Sequence, residues 1–308
     1  MNEPLISLEI DMNAPGLSRI LKQGATLERM ATGMKFGEGP VWNSREDAFY
    51  WVDIVGNTIW KKRGSERAQV VVRPSGKANG LTFDRQGRLL AAGWAGRNIW
   101  RLEPDGSRTV LCSEYKGRRI NSPNDLVVKS DGAIYFTDPS GALNNVDMGG
   151  DDVQRYLDFH GVYRVVEGHE PELLADDFVY PNGLAFSVDE SLLYINDTRQ
   201  NLIRVGKVQP DGRIGKATLF ARLQGTEPGR ADGLKVDTAG NVYCTGPGGV
   251  HVFSPDGSQL GRIKVPGHPT NIAFGDRDWR ALYIVTQTCV FRTRLALAGL
   301  PVALSGSV

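Results

Sequence analysis

Short apolar runs alternate with polar positions along most of the chain, with a period of two rather than 3.6. Six stretches repeat one design, in which a polar residue is followed by an alternating strand, a turn rich in Asp, Ser and Gly, and a second strand. They read EGPVWNSREDAFYWVDI from Glu38, NGLTFDRQGRLLAAG from Asn79, NDLVVKSDGAIYFTD from Asn124, NGLAFSVDESLLYIND from Asn182, DGLKVDTAGNVYCTG from Asp232 and TNIAFGDRDWRALYIVT from Thr270. Their starts are separated by 41, 45, 58, 50 and 38 residues. Most are followed by a further strand pair around a second turn, as in IWRLEPDG, IRVGKVQPDG and VHVFSPDG. Four strands in each unit of about 46 residues make a propeller blade. The predicted fold is therefore all-β, a six-bladed β-propeller with four-stranded blades. A sandwich of unrelated hairpins would leave the recurring polar residue unexplained. Residues 25–36 are expected to supply the outer strand that the last unit lacks, so that the N-terminal strand closes the ring. Residues 1–24 read as an N-terminal extension and residues 25–308 as a single propeller domain.

Composition narrows the partners. Among 308 residues, 36 Lys and Arg balance 35 Asp and Glu, for a formal net charge of +1. That leaves no basic excess for a nucleic-acid backbone. No apolar run approaches the ~20 residues of a spanning helix, and no basic region followed by an apolar stretch opens the chain. The expectation is a cytoplasmic protein, or a periplasmic one if a leader was trimmed, acting on a small molecule as a monomer or homodimer. Cys112, Cys244 and Cys289 are too far apart in sequence for a metal-ligand spacing and read as buried free thiols. The four histidines show no HxH or HExxH pairing.

The repeat also predicts where chemistry gathers. The inner strand of a blade lines the central channel, so the first residue of each unit sits at its mouth. Glu38, Asn79, Asn124, Asn182, Asp232 and Thr270 then surround one axis. All offer oxygen, and two are carboxylates, which suits a hard divalent cation such as Ca²⁺. Turn chemistry accounts for Asn79 before Gly80. It does not account for Glu38, a poor turn residue that is costly to bury without a partner. A second ring, Asp53, Asp138 and Asp197, ends second strands near the same mouth, with loop capping as the plainer role for Asp53. Asp125 supports Asn124.

The segments EGPVW, RINSPNDLVVKSDGAIYFTDPSG, PNGLAFSVDESLLYINDT and ADGLKVD resemble the hallmarks of the gluconolactonase and regucalcin family of six-bladed propellers, over residues 25–294. The resemblance implies a metal-dependent lactonase acting on sugar lactones; diisopropyl fluorophosphatase, which hydrolyses phosphotriester-like bonds, is a more distant relative. It implies Glu38, Asn182 and Asp232 as metal ligands, Asn124 as a ligand or substrate contact, and Arg119 near substrate, with Asn121 and Asp138 of the same segments beside it. One divalent ion is expected, Ca²⁺ first, with Zn²⁺, Mg²⁺ or Mn²⁺ as alternatives. His268 reads as a loop residue rather than a further ligand.

Such an ion makes a nucleophilic serine unnecessary, and the chain has no G-x-S-x-G elbow. Asp232 is the expected ligand and general base, with Glu38 able to share the role. Residues 140–160, acidic and rich in glycine, read either as a lid or rim loop that tunes substrate choice, packed down by Tyr156, Leu157 and Phe159, or as a plain surface excursion. Two other functions stay open at this point: a phosphotriesterase or other ester hydrolase on the same metal site, and a non-enzymatic Ca²⁺-binding scaffold.

Overall fold

The structure, a computed structural model, describes residues 6–7, 10–11, 16–21, 24–145 and 148–302. It is a six-bladed β-propeller. The first blade shows the plan, with Gly37–Asn43 innermost, then Ala48–Asp53, Thr58–Lys62 and Gln69–Val72 outward, all antiparallel. The inner strands of blades 2 to 6 are Leu81–Phe83, Leu126–Val128, Pro181–Phe186, Leu234–Val236 and Pro269–Gly275. Blade 6 takes its outer strand, Thr26–Thr32, from the start of the chain, where it pairs with Cys289–Arg294. The expected closure of the ring is therefore present. Upstream, Ile6–Ser7 extends blade 6 and Ile10–Asp11 extends blade 5. The short helix Leu17–Ile20 buries Leu17 and Ile20 between these blades.

Alternation along the strands produces the core. A β-strand aims successive side chains at opposite faces, and a blade is covered by a neighbour on each face, so both sets are apolar. The buried hydrophobic residues accordingly fall into six clusters, one in each seam between adjacent blades. In the seam that closes the ring, Phe49 of blade 1 stacks on Tyr283 of blade 6 at 4.2 Å between ring centroids. Cys112, Cys244 and Cys289 are free thiols of these strands; the first two are buried, whereas Cys289 is only half-buried.

Near the axis the blades touch through backbone. The N–H groups of Gly80, Gly183 and Gly233 donate to the carbonyls of Asn124, Asp232 and Thr270, each on the following blade, at 2.8, 3.0 and 2.9 Å. This close approach is why glycine follows the axis residue. A Cβ on Gly183 would lie 2.1 Å from the Asp232 carbonyl oxygen. A Cβ on Gly39 would lie 2.0 Å from that of Asn79, and Gly39 also has φ of +53°, which favours glycine. The Asn-Gly and Asp-Gly pairs thus serve contact between blades, in addition to any turn preference.

Gly183→Ala is expected to push blades 4 and 5 apart at the axis. Overpacking of this kind costs about 1–3 kcal/mol, so the urea midpoint should fall. An unchanged midpoint would show that the axis can spread without penalty.

Candidate active site at the axis mouth

Irregular pairing delivers the axis side chains to the channel. In blades 1 and 4 the register of the inner strand shifts between Glu38 and Val41 and between Pro181 and Leu184. Such bulges re-aim side chains, here those of Glu38 and Asn182. In blades 2, 3 and 5, Asn79, Asn124 and Asp232 precede the inner strand by two residues. All five are polar or charged, yet Glu38, Asn79, Asn124 and Asn182 are buried and Asp232 is half-buried.

Their oxygens lack partners. Oδ1 of Asn79, Asn124, Asn182 and Asp232 is buried with no hydrogen-bond donor among the described residues. Buried polar atoms are ordinarily paired, so four orphaned acceptors around one axis are open to a shared partner, whether a cation or a hydrogen-bond donor. Glu38 is anchored differently: its Oε2 accepts from the backbone N–H of Gly39 and from Nδ2 of Asn271, both at 3.0 Å. The Asn182 amide donates to Thr198 Oγ1 at 3.0 Å, which turns its carbonyl oxygen the other way.

Electrostatics agree. Burial lifts the Glu38 carboxyl to about 7, with Asp125 adding to the rise. Burial, then the charges of Glu38 and Asp125, raise Asp232 well above the carboxylate range. Burial likewise raises Asp125, and Lys235, with Nζ 3.8 Å from Asp125 Oδ2, opposes that rise. Three buried acids crowded at one mouth resist ionisation, and a bound cation would invert that preference. Among the described residues no three of His, Cys, Asp and Glu form a metal cluster. Two carboxylates completed by carboxamide oxygens form instead the all-oxygen donor set of a hard cation. Glu38, Asn124, Asn182 and Asp232 can hold such an ion.

The remaining expected residues have mixed positions. Thr270 is not an axis donor: its hydroxyl lies 2.8 Å from the carbonyl of Gly37 and 3.2 Å from that of Val285, tying blade 6 to blade 1. Asp53, Asp138 and Asp197 share one task, accepting backbone N–H groups from the segment that leads into the inner strand. Asp53 binds those of Lys35 and Phe36, Asp138 that of Asn121, and Asp197 those of Val179 and Tyr180. Asn121 Nδ2 donates in turn to the carbonyls of Asp138 and Phe159. Asn121 Oδ1 and Asp138 Oδ1 stay buried without partners, and burial lifts Asp138 to about 7. Arg119 is half-exposed and pairs with Asp152 of the insertion at 2.6 Å. His268 is half-buried and lies in the loop before Pro269–Gly275.

Insertion residues 140–160, apart from 146–147, which lie outside the described residues, pack on the mouth unevenly. Leu157 is buried and Phe159 half-buried, whereas Tyr156 stays exposed, with the Arg97 guanidinium 5.2 Å from its ring. Arg97, absent from the sequence reading, is the anchor: it is 1% exposed, donates to the carbonyls of Ile120, Asp152 and Gln154, and pairs with Asp152 at 3.2 Å. Asn271 was also missed, because the residue after the axis position looked like ordinary strand. Asn79 was explained as turn chemistry, although its register matched that of the other axis residues.

The match to the SMP-30/Gluconolactonase/LRE-like region spans residues 36–288. The chain belongs to that family. Within it, the chain is 32% identical over 310 aligned positions to a gluconolactonase of Zymomonas mobilis, spanning 93% of this chain and 86% of the relative. It is 31% identical over 263 positions to a pentonolactonase of Haloferax volcanii, spanning 83% of this chain and 82% of the relative. A solved structure described as a gluconolactonase of Xanthomonas campestris superposes with a TM-score of 0.87 at 32% identity, covering 96% and 98% of the two chains.

The carboxyl shifts predict how the cation-free protein responds to pH. A raised folded-state pKa stabilises fully below the unfolded value, 4.5 for Glu38, and that stability is lost as pH rises through about 7. In chelator, wild-type protein should therefore lose thermal stability between pH 5 and pH 8. Glu38→Gln should flatten that slope. Equal slopes in the two proteins would show that Glu38 is not a strained buried acid.

Proposed function

We propose that the protein is a metal-dependent hydrolase that opens a sugar lactone of the aldonolactone type to its hydroxy acid. The observation that carries this reading is the ring of unpartnered buried oxygens on Asn124, Asn182 and Asp232, joined by Glu38. Relatives named gluconolactonase and pentonolactonase support sugar lactones as the substrate class. Glu38, Asn124, Asn182 and Asp232 hold one divalent ion, Ca²⁺ being favoured by oxygen donors that include carbonyl groups. When bound, that ion supplies Lewis acidity toward the lactone carbonyl and toward water.

The chain's own groups supply the rest. Asp232 takes a proton from the attacking water as its oxygen bonds to the carbonyl carbon. The ring C–O bond then breaks, and the departing alkoxide oxygen receives the proton, so lactone plus water becomes hydroxy acid with nothing left over. Glu38, clamped by Asn271 and the Gly39 N–H, keeps its charge fixed beside the reaction. Asn121 Oδ1 and Asp138 Oδ1 accept hydrogen bonds from substrate hydroxyls. Arg119, beside the mouth through its pairing with Asp152, meets the substrate's polar oxygens.

A panel of aldonolactones and a phosphotriester, each with and without EDTA, tests the reading. Aldonolactone hydrolysis should vanish in chelator and return with a divalent ion. Turnover of the phosphotriester alone would assign the site to ester hydrolysis of another kind, and cation binding with no turnover would leave a scaffold. Full activity in protein shown by elemental analysis to be metal-free would defeat the mechanism.

Asp232→Asn separates ligation from proton transfer. Its kcat should stay depressed by about 10²–10⁴-fold even at saturating metal. Asn182→Ala should instead recover much of its rate as metal is added, because only metal binding is weakened. A return of Asp232→Asn to wild-type kcat at high metal would make Asp232 a ligand only.

A further inference from the structure

Beside the axis oxygens, the mouth carries two hydrogen-bond donors that the hydrolytic step does not use. Trp94 directly follows Gly93, which ends the second strand of blade 2. It is 5% exposed, yet its indole N–H meets no acceptor among the described residues. A buried indole normally finds one. Tyr180 lies two residues before Asn182 and is half-buried, and its phenol pairs with no described residue.

The two donors converge. A Cβ on Gly141 would lie 2.3 Å from Tyr180 Oη and 2.8 Å from Trp94 Nε1. Gly141 has φ of −58°, a conformation open to any residue, so its backbone does not require glycine. What the position requires is the absence of a side chain, because the phenol and the indole both pack against the Gly141 backbone and a Cβ would push them off it. Asp232 and Glu38 lie close enough for their charges, after burial, to hold the Tyr180 phenol above its usual range.

His160 fixes this arrangement. Its Nδ1 faces the Val179 carbonyl at 2.6 Å, which can only accept, so Nδ1 carries the proton. Nε2 then accepts from Ser140 Oγ at 2.9 Å, and Asn144 Nδ2 donates to that hydroxyl at 2.8 Å. The imidazole thus joins the residue before Tyr180 to the residue before Gly141, and its ring meets the Tyr180 ring edge-on at 5.9 Å. Burial lowers its pKa, in keeping with a neutral ring.

We propose that Trp94 Nε1–H and Tyr180 O–H form a specificity subsite that holds ring hydroxyls of a polyhydroxylated lactone away from the carbonyl under attack. This inference rests on the lactonase reading above. A site built to bond hydroxyls rejects analogues that lack them, because its own buried groups are then left unpaired.

The test compares D-glucono-1,5-lactone with δ-valerolactone, which has the six-membered ring and no hydroxyls, in the metal-loaded enzyme. Tyr180→Phe removes one oxygen and should lower kcat/KM for gluconolactone by about tenfold, the order of one lost hydrogen bond. Valerolactone turnover should change less than about twofold, since only hydroxyl contacts are lost. Trp94→Phe should give the same selective loss, with its melting temperature recorded to separate unfolding from loss of the donor. Equal losses on both lactones, or no loss on either, would overturn the subsite. Calorimetric binding of 1,5-anhydro-D-glucitol, which keeps the ring hydroxyls and has no carbonyl, tests the subsite independently of turnover. If wild-type enzyme opens neither lactone, the lactonase reading fails, and the subsite still stands if Tyr180→Phe weakens binding of the anhydroglucitol. Identical binding by wild type and variant would overturn it.

Discussion

The contact of backbone with backbone around the axis is the constraint from which the rest follows. Six inner strands must converge closely enough for Gly80, Gly183 and Gly233 to donate to the next blade's axis carbonyl, and no side chain fits between them. Asn124 and Asp232 therefore commit their carbonyls to the preceding blade and turn their side chains to the channel. Second-strand side chains reinforce the ring: Thr137 Oγ1 donates to the Asn182 carbonyl at 2.8 Å, and Thr245 Oγ1 to that of Thr270 at 3.1 Å. Polar groups gathered this way are preorganised before any ligand arrives, the condition under which electrostatic stabilisation is most effective.

Such convergence carries a cost. Burial raises the pKa values of Glu38, Asp125 and Asp232, the charge of Asp125 adds to the rise of Glu38, and both of these add to that of Asp232, while Lys235 beside Asp125 offers an opposing positive charge. Six apolar seams carry the fold and tolerate that penalty at the centre. Repulsion of this kind would favour a positive ion at the mouth, because loading one would remove a penalty already present in the folded chain.

The architecture was legible because a blade is a local object. Period-two alternation and Asp-, Ser- and Gly-rich turns recur along the chain, and their spacing alone counts the blades. Glu38 stood out because glutamate has no turn role at that position. Asn271 could not be found the same way: it acts on Glu38 from 233 positions away in sequence, across the ring closure. The common job of Asp53, Asp138 and Asp197 was visible as a register but not as a function, since an aspartate ending a strand reads the same whether it binds loop N–H groups or substrate. Trp94, Gly141 and Tyr180 belong to three different loops, and no periodicity links them.

Those loops explain how one fold can hold its chemistry fixed while its substrate range varies. The axis oxygens sit on or beside inner strands, locked by neighbours on both sides, so a substitution there disturbs two blades at once. The mouth wall is held by single side chains instead. Arg97 adopts φ of +58°, uncommon for a residue with a side chain, and from there reaches the carbonyls of Asp152 and Gln154. His160 ties the far end of the same insertion to the entry of blade 4. Insertion residues between these two anchors join the second strand of blade 3, Ile134–Asp138, to its third, Gly161–Val165, which is where a loop can carry specificity on a rigid scaffold. Changes confined there can reshape the mouth wall and leave the axis oxygens where the backbone ring puts them.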